Sequence, residues 1–385
     1  MDFWRRANGV APAVIGARLL AGGFLAISFL ALTTGCYAEQ GRRPQEPRST
    51  IPTLDSLLKG PLPAGEFGGW CGDKIVMLVA HRRLIHDEMG RPLSYSFSSQ
   101  SQLNCREDGQ RLVLVDNEAG WPEKTGLASE IEIGSGLPVR KLATYQRQPR
   151  PIVSFSPDLK NVASTGMLTL SPGTGDLKVI ELRSSEGRGI LDVRWSSDSS
   201  ELFSVSVPQG KSKLQSVEIF SGQRQKIASG QLPTGLHFRN GWFANARALY
   251  LYLGLNNNEF GSGFVFKCPI EGWKCVMVAK DVLEASVGGG GMLGIVRPVG
   301  KYSNDGDWIT IPPQYLVEIR NSNFEVVARQ TFKSAERDAL NLAISPSGTK
   351  AVLTWVGKID SCPPEKQIDH KCHGAIVIDL PGRLK

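Results

Sequence analysis

Val153 to Ala163 reads V-S-F-S-P-D-L-K-N-V-A, an apolar strand, a Ser-Pro-Asp turn with a polar tail, and a second apolar strand. Asp at such a turn accepts hydrogen bonds from main-chain groups two residues on, so the phrase specifies a hairpin. It returns closely at Val193–Phe203 (V-R-W-S-S-D-S-S-E-L-F) and at Leu342–Val352 (L-A-I-S-P-S-G-T-K-A-V). Alignment on an aromatic-x-x-Asp core adds three looser copies, Leu103–Val113, Asn240–Tyr250 and Gly300–Thr310. The turn residues then fall at Asp108, Asp158, Asp198, Asn245, Asp305 and Ser347. Spacing of roughly 40 to 60 residues is the period of propeller blades.

Each copy is followed by another strand-like run: Glu130–Ile133, Leu177–Leu182, Leu214–Ile219, Gly263–Phe266, Tyr315–Ile319 and Ala375–Leu380. Several of these alternate polar with apolar residues, as half-exposed strands do. The pattern predicts an all-β chain forming a β-propeller of six four-stranded blades over residues 54–385. The strong strand Asp73–Val79 either opens a seventh blade or completes the ring by pairing with the last one. Asp73 lies so close to Asp108 that ring closure is the more economical expectation. Closure of that kind removes exposed sheet edges.

The S-P-D-x-K-x-x-A phrase followed by an outer V-x-x-L strand resembles the propeller repeats of TolB and of the dipeptidyl-peptidase-type propellers. The resemblance spans roughly residues 100–385, with Val153, Val193 and Leu342 opening its closest copies. It implies the fold and carries little about function.

Residues 1–38 have the layout of an export signal. Arg5, Arg6 and Arg18 precede a 14-residue apolar run, Leu19–Leu32, which has the length of a signal-peptide core. Thr33, Thr34 and Gly35 then lead into Cys36. This resembles the lipobox of bacterial lipoproteins, which implies lipidation of Cys36, although Thr33 stands where that family usually has Leu. Cleavage after Ala38 would instead give a soluble secreted protein, and an uncleaved Leu19–Ala38 would remain as an anchor. Residues 39–53 are polar and proline-rich and read as a disordered linker.

Apart from Cys36, six cysteines remain in a chain that reads as exported, so disulfides are the expectation. Cys268 and Cys275 flank what looks like a hairpin. Cys362 and Cys372 would close a polar loop, which leaves Cys71 with Cys105. The histidines and cysteine of His370, Cys372 and His373, near Cys362, match no dependable zinc spacing.

The net charge of +7 is modest and scattered, so nucleic acid is not an expected partner. No nucleophile elbow occurs, and Gly288–Gly291 lacks the lysine and helix of a phosphate loop. Gly288–Gly291 is read as a flexible or closely approached loop, and Asn304, Asp305 and Asp307 as turn residues. No catalytic, metal-ligating or cofactor-binding residue is assigned, and no cofactor is expected.

Loops carried by the scaffold are the expected place of function, in particular Leu84–Gln102, Gly254–Ser262 and Gly357–His373. The reading is a non-catalytic exported propeller, a binding or scaffolding module of the bacterial cell envelope. It would be held at the periplasmic side of a membrane by its N-terminal lipid or anchor, or be secreted. Its partner would be an envelope protein or a cell-wall component. The alternative is a propeller hydrolase or lyase with its site in the central channel.

Overall fold

The computed structural model describes residues 51–62, 65–79, 82–87, 91–98, 101–106, 109–116, 125–146, 152–174, 176–182, 188–208, 215–222, 225–245, 248–255, 261–300, 312–334, 339–357, 366–368 and 371–380. The export signal, Cys36 and nearly all of the linker lie outside these residues. Thr50–Lys385 is one compact unit.

That unit is a seven-bladed β-propeller. Blade 1 has four strands, Glu66–Cys71, Lys74–Val79, Arg82–His86 and Pro92–Ser98. Blade 2 begins with Gln102–Cys105, Arg111–Asp116, Thr125–Glu132 and Pro138–Gln146. Blade 3 is built on Val153–Phe155 and Asn161–Ser164. Blades 4, 5 and 6 are regular antiparallel four-stranded sheets with first strands Arg188–Trp195, Leu236–Asn245 and Glu284–Val287. Blade 7 uses Ala339–Ile344, Lys350–Gly357 and Lys371–Asp379. First strands of neighbouring blades meet between blades 1 and 2, 3 and 4, 5 and 6, 6 and 7, and 7 and 1.

Three sequence expectations change. First, Lys74–Val79 does not close the ring. Gly72, at φ 60°, lets the chain turn tightly, so this strand folds back on Glu66–Cys71 as part of blade 1. The ring is closed by Leu58–Leu62, which pairs with Lys371–Asp379 as the fourth strand of blade 7. Buried Leu62 joins Ile75 and Met77 of blade 1 to Val352 and Val377 of blade 7. Just upstream, Leu54 is fully buried between blades 6 and 7, and the Arg329 N–H donates to the Pro52 carbonyl at 3.2 Å.

Second, the inner hairpin of blade 6 turns at Gly288–Met292, between Glu284–Val287 and Leu293–Val299. The copy expected at Gly300–Thr310 falls almost wholly outside the described residues, in the connection to the third strand. A Cβ on Gly288 would stand 2.3 Å from Ile344 Cγ2, and one on Gly289 would stand 2.1 Å from the Pro346 carbonyl. The glycine run is therefore the place where blade 7 presses on blade 6. Third, Leu84–Gln102 is not a long loop, because it supplies much of the third strand and the whole fourth strand of blade 1.

Blades 2 and 3 depart from the four-stranded pattern. After Asn161–Ser164 the chain crosses over and adds Leu168–Leu170 to the outer edge of blade 2, giving that blade five strands. It then returns as Lys178–Glu181, which pairs parallel to Asn161–Ser164 and leaves blade 3 with three strands.

The repeated phrase owes its regularity to one turn. Ser156 Oγ donates to Asp158 Oδ1 at 2.7 Å and accepts the Asn161 N–H at 2.9 Å, while Asp158 Oδ1 accepts the Lys160 N–H. Ser196, Asp198 and Glu201 repeat these bonds in blade 4. In blade 7, Ser347 replaces the aspartate and its hydroxyl meets Ser345 Oγ at 3.0 Å. Asp158 and Asp198 are occupied by turn geometry, which buried polar backbone requires.

Candidate functional site

The innermost strands of blades 1, 4, 5, 6 and 7 enclose a cavity of about 540 Å³. That size suits a ligand of moderate size. Alternation along each strand decides what faces it. In blade 6, Ala285 and Val287 point into the core beside Tyr250 and Leu293, so Glu284 and Ser286 take the other face. In blade 7, Leu340, Leu342 and Ile344 enter the core and Asn341 is left exposed.

Aromatic rings form much of the wall: Phe67, Trp70, Trp195, Trp242 and Phe243. Phe67 and Trp70 pack against each other at 5.5 Å between ring centres. Trp195 is pinned by its indole N–H, which donates to the Ser154 carbonyl of blade 3 at 3.0 Å. Polar groups are interleaved. Arg194 pairs with Asp192 at 3.0 Å and reaches the Gly241 carbonyl at 3.4 Å. The Asn240 side-chain oxygen accepts the Gly241 N–H at 2.9 Å, and Ser286 Oγ accepts the Ile344 N–H at 2.9 Å, fixing blade 7 to blade 6.

Glu284 is the one carboxylate among the described residues that line the cavity. Burial pushes its carboxyl up to about 7, against the opposing field of Arg239. The Arg239 guanidinium is engaged elsewhere, donating to the Tyr252 hydroxyl at 2.8 Å and the Gly261 carbonyl at 2.6 Å. The cavity thus combines flat apolar faces, two amides, one guanidinium and one carboxyl group that exchanges its proton near neutrality. Such a set binds a ligand carrying both polar edges and apolar faces.

The cysteines lie away from this cavity. Cys71 and Cys105 are bonded, tying the first strand of blade 1 to that of blade 2. Cys268, in the third strand of blade 5, is bonded to Cys275, the residue just before the fourth. Cys372 is also disulfide-bonded, and Cys362 lies outside the described residues. A bonded cysteine offers no thiolate to a metal. Disulfides of this kind indicate an oxidising, extracytoplasmic setting. His86 is fully buried and His373 nearly so, and burial lowers the pKa of His86. The long connections expected to carry function, around Gly254–Ser262 and Gly357–His373, lie mostly outside the described residues.

No family model and no curated protein matches the chain. Solved structures do resemble it in fold. Hydrazine synthase from Kuenenia stuttgartiensis aligns at 12% identity and a TM-score of 0.48, over 80% of this chain and 95% of that one. One prolyl endopeptidase structure aligns at 12% identity and a TM-score of 0.48, over 80% of this chain and 48% of that one. The C-terminal WD40 domain of Sif2 aligns at 12% identity and a TM-score of 0.40, over 82% and 80%. These likenesses extend to the propeller architecture alone.

The axial residues carried no motif that sequence reading recognises. Asn341 is the single polar residue of an otherwise apolar first strand, Ala339–Ile344, whereas Asn240 and Glu284 stand in first strands that hold other polar residues.

Proposed function

We propose that this protein is an exported binding module of the cell envelope that holds its partner in the axial cavity. The partner is a segment of an envelope protein or of a cell-wall component, and the module is tethered at a membrane surface through lipid on Cys36. One observation carries the reading: aromatic rings from three blades and the Asn240 and Asn341 amides converge on one cavity of about 540 Å³. Rigid aromatics give contact area at low entropic cost, and the amides supply direction.

The test is crosslinking capture from intact cells, comparing the native protein with Asn341→Trp. Asn341 is exposed, so the larger ring fills the cavity without entering the core. Loss of the captured partner is expected. Undiminished capture by the plugged variant contradicts the reading.

A second reading is favoured by Glu284 alone. A carboxyl group poised near neutrality in a cavity is suited to general acid–base work, as in a hydrolase or lyase. Glu284→Gln separates the two, since it abolishes turnover but leaves the binding module able to capture its partner.

A further inference from the structure

We infer that the ligand of the axial cavity is a glycan, a chain of β-1,4-linked pyranose rings, and not a peptide strand. The inference rests on the axial cavity being the binding site proposed above. Its first support is what the inner strands withhold. A peptide held along the axis adds to the open edge of a first strand through main-chain hydrogen bonds. Side chains of a neighbouring blade already take such groups. The Ser154 carbonyl of blade 3 accepts the Trp195 indole N–H, and the Gly241 carbonyl of blade 5 accepts from Arg194. The Ile344 N–H of blade 7 donates to Ser286 Oγ, and Asn240 Oδ1 takes the Gly241 N–H. Edge groups in three blades are thus satisfied without a ligand strand, so recognition falls to the side chains.

The rings supply the second support. Phe67 and Trp70 stand in blade 1, and Trp195, Trp242 and Phe243 in blades 4 and 5, across a ring of seven. The cavity therefore has aromatic walls on opposite sides. A pyranose with equatorial substituents is a disc, with an apolar C–H face on each side and hydroxyls around its rim. Its polarised C–H groups are drawn to the negative faces of aromatic rings. β-1,4 links join such discs into a flat ribbon that fits between two aromatic walls.

Hydroxyls also answer the polar groups between the rings. The Trp70 indole N–H is buried and finds no partner among the described residues, so it requires an acceptor. An ammonium ligand, the other chemistry that aromatic walls attract, brings donors alone and leaves this N–H unpaired. The Glu284 carboxyl, raised by burial to about 7, both donates and accepts while it holds its proton. The Asn341 carboxamide does both at every pH. A hydroxyl, donor and acceptor at once, matches all three groups.

The experiment is calorimetric titration of the mature protein with chitotriose, cellotriose, maltotriose and adenosine. The two β-1,4-linked sugars should bind, and α-1,4-linked maltotriose about tenfold more weakly, because its bent chain cannot lie flat between both walls. Trp242→Leu keeps an apolar side chain without a flat ring and should weaken the β-linked sugars by about tenfold. Asn341→Trp, at an exposed position, should abolish their binding and carries the test if Trp242→Leu lowers the thermal midpoint. Failure of both β-linked sugars, or undiminished binding by Asn341→Trp, overturns the glycan. Equal binding of maltotriose overturns the β-linked ribbon, and adenosine binding more tightly than either sugar puts a flat heterocycle in its place. Sedimentation with purified cell-wall sacculi distinguishes a wall glycan from a soluble one, and either supports the inference. If the sugars fail while Asn341→Trp still loses its captured partner in cells, the binding module stands and the glycan alone falls.

Discussion

The Ser347 hydroxyl donates to Asp73 Oδ1 at 2.8 Å across 274 residues of chain. The bond joins the inner turn of blade 7 to that of blade 1, and similar links recur around the ring. Lys74 Nζ donates to the Gly109 carbonyl at 2.7 Å, the Asp158 N–H to Ser199 Oγ at 2.9 Å, and the Gly289 N–H to the Ser345 carbonyl at 3.3 Å. The turns that the sequence repeats so visibly therefore also hold blade to blade.

Ring closure depends on the segment before the first blade. Leu54→Ala should destabilise the propeller by about 2–5 kcal/mol, because Leu54 is fully buried. Urea unfolding measures this. A loss within error of zero would show that the segment does not clamp blades 6 and 7.

Cys71–Cys105 and Cys268–Cys275 should differ in worth. They close loops of sequence separation 34 and 7, so chain entropy assigns about 4 kcal/mol to Cys71–Cys105 and about 2 kcal/mol to Cys268–Cys275. Paired Cys→Ser substitutions with urea unfolding should show the larger loss for the first. The reverse order would mean that strain or residual structure, not loop length, decides.

How much was legible follows from the turn chemistry. Ser156–Asp158 and Ser196–Asp198 announce their blades because each uses a hydroxyl and a carboxylate to satisfy its turn. Blade 1 has the same aromatic-x-x-Asp spacing in Trp70 and Asp73, but its short distance from Asp108 disguised it. The inner hairpin of blade 6 was illegible because close approach by blade 7 demands Gly288 and Gly289, and no side chain remains to mark the turn. The cavity was less legible still, since alternation alone does not say which face of an inner strand meets the axis.

That close approach is itself testable. Gly289→Ala would drive a methyl group into the Pro346 carbonyl and should cost about 1–3 kcal/mol or more. Gly235→Ala has open space around its Cβ, so any cost there comes only from its φ of 85°. Thermal midpoints of the two variants compare these effects. A Gly289→Ala protein as stable as the native one would contradict the packing described.

Glu284 should leave a mark on stability against pH. Its folded pKa, raised by burial to about 7, exceeds the ordinary 4.5, so the folded state holds the proton more tightly than the unfolded state. Stability therefore falls as pH rises from about 4.5 to about 7 and levels off above that. Glu201, raised to about 7 by burial and the Asp198 charge, acts in the same direction. Glu284→Gln should lose its share of this slope, so its advantage over the native protein should be larger at pH 8 than at pH 5. An unchanged slope would show that Glu284 is solvated.

The most direct test of the axial cavity as the binding site places a photoreactive side chain at position 341, and separately at Leu137 on the outside of blade 2, where exposure is 65%. Illumination of intact cells should give a discrete adduct from position 341 and none of the same mass from 137. An adduct from 137 alone would contradict the account and move recognition to the rim of the wheel.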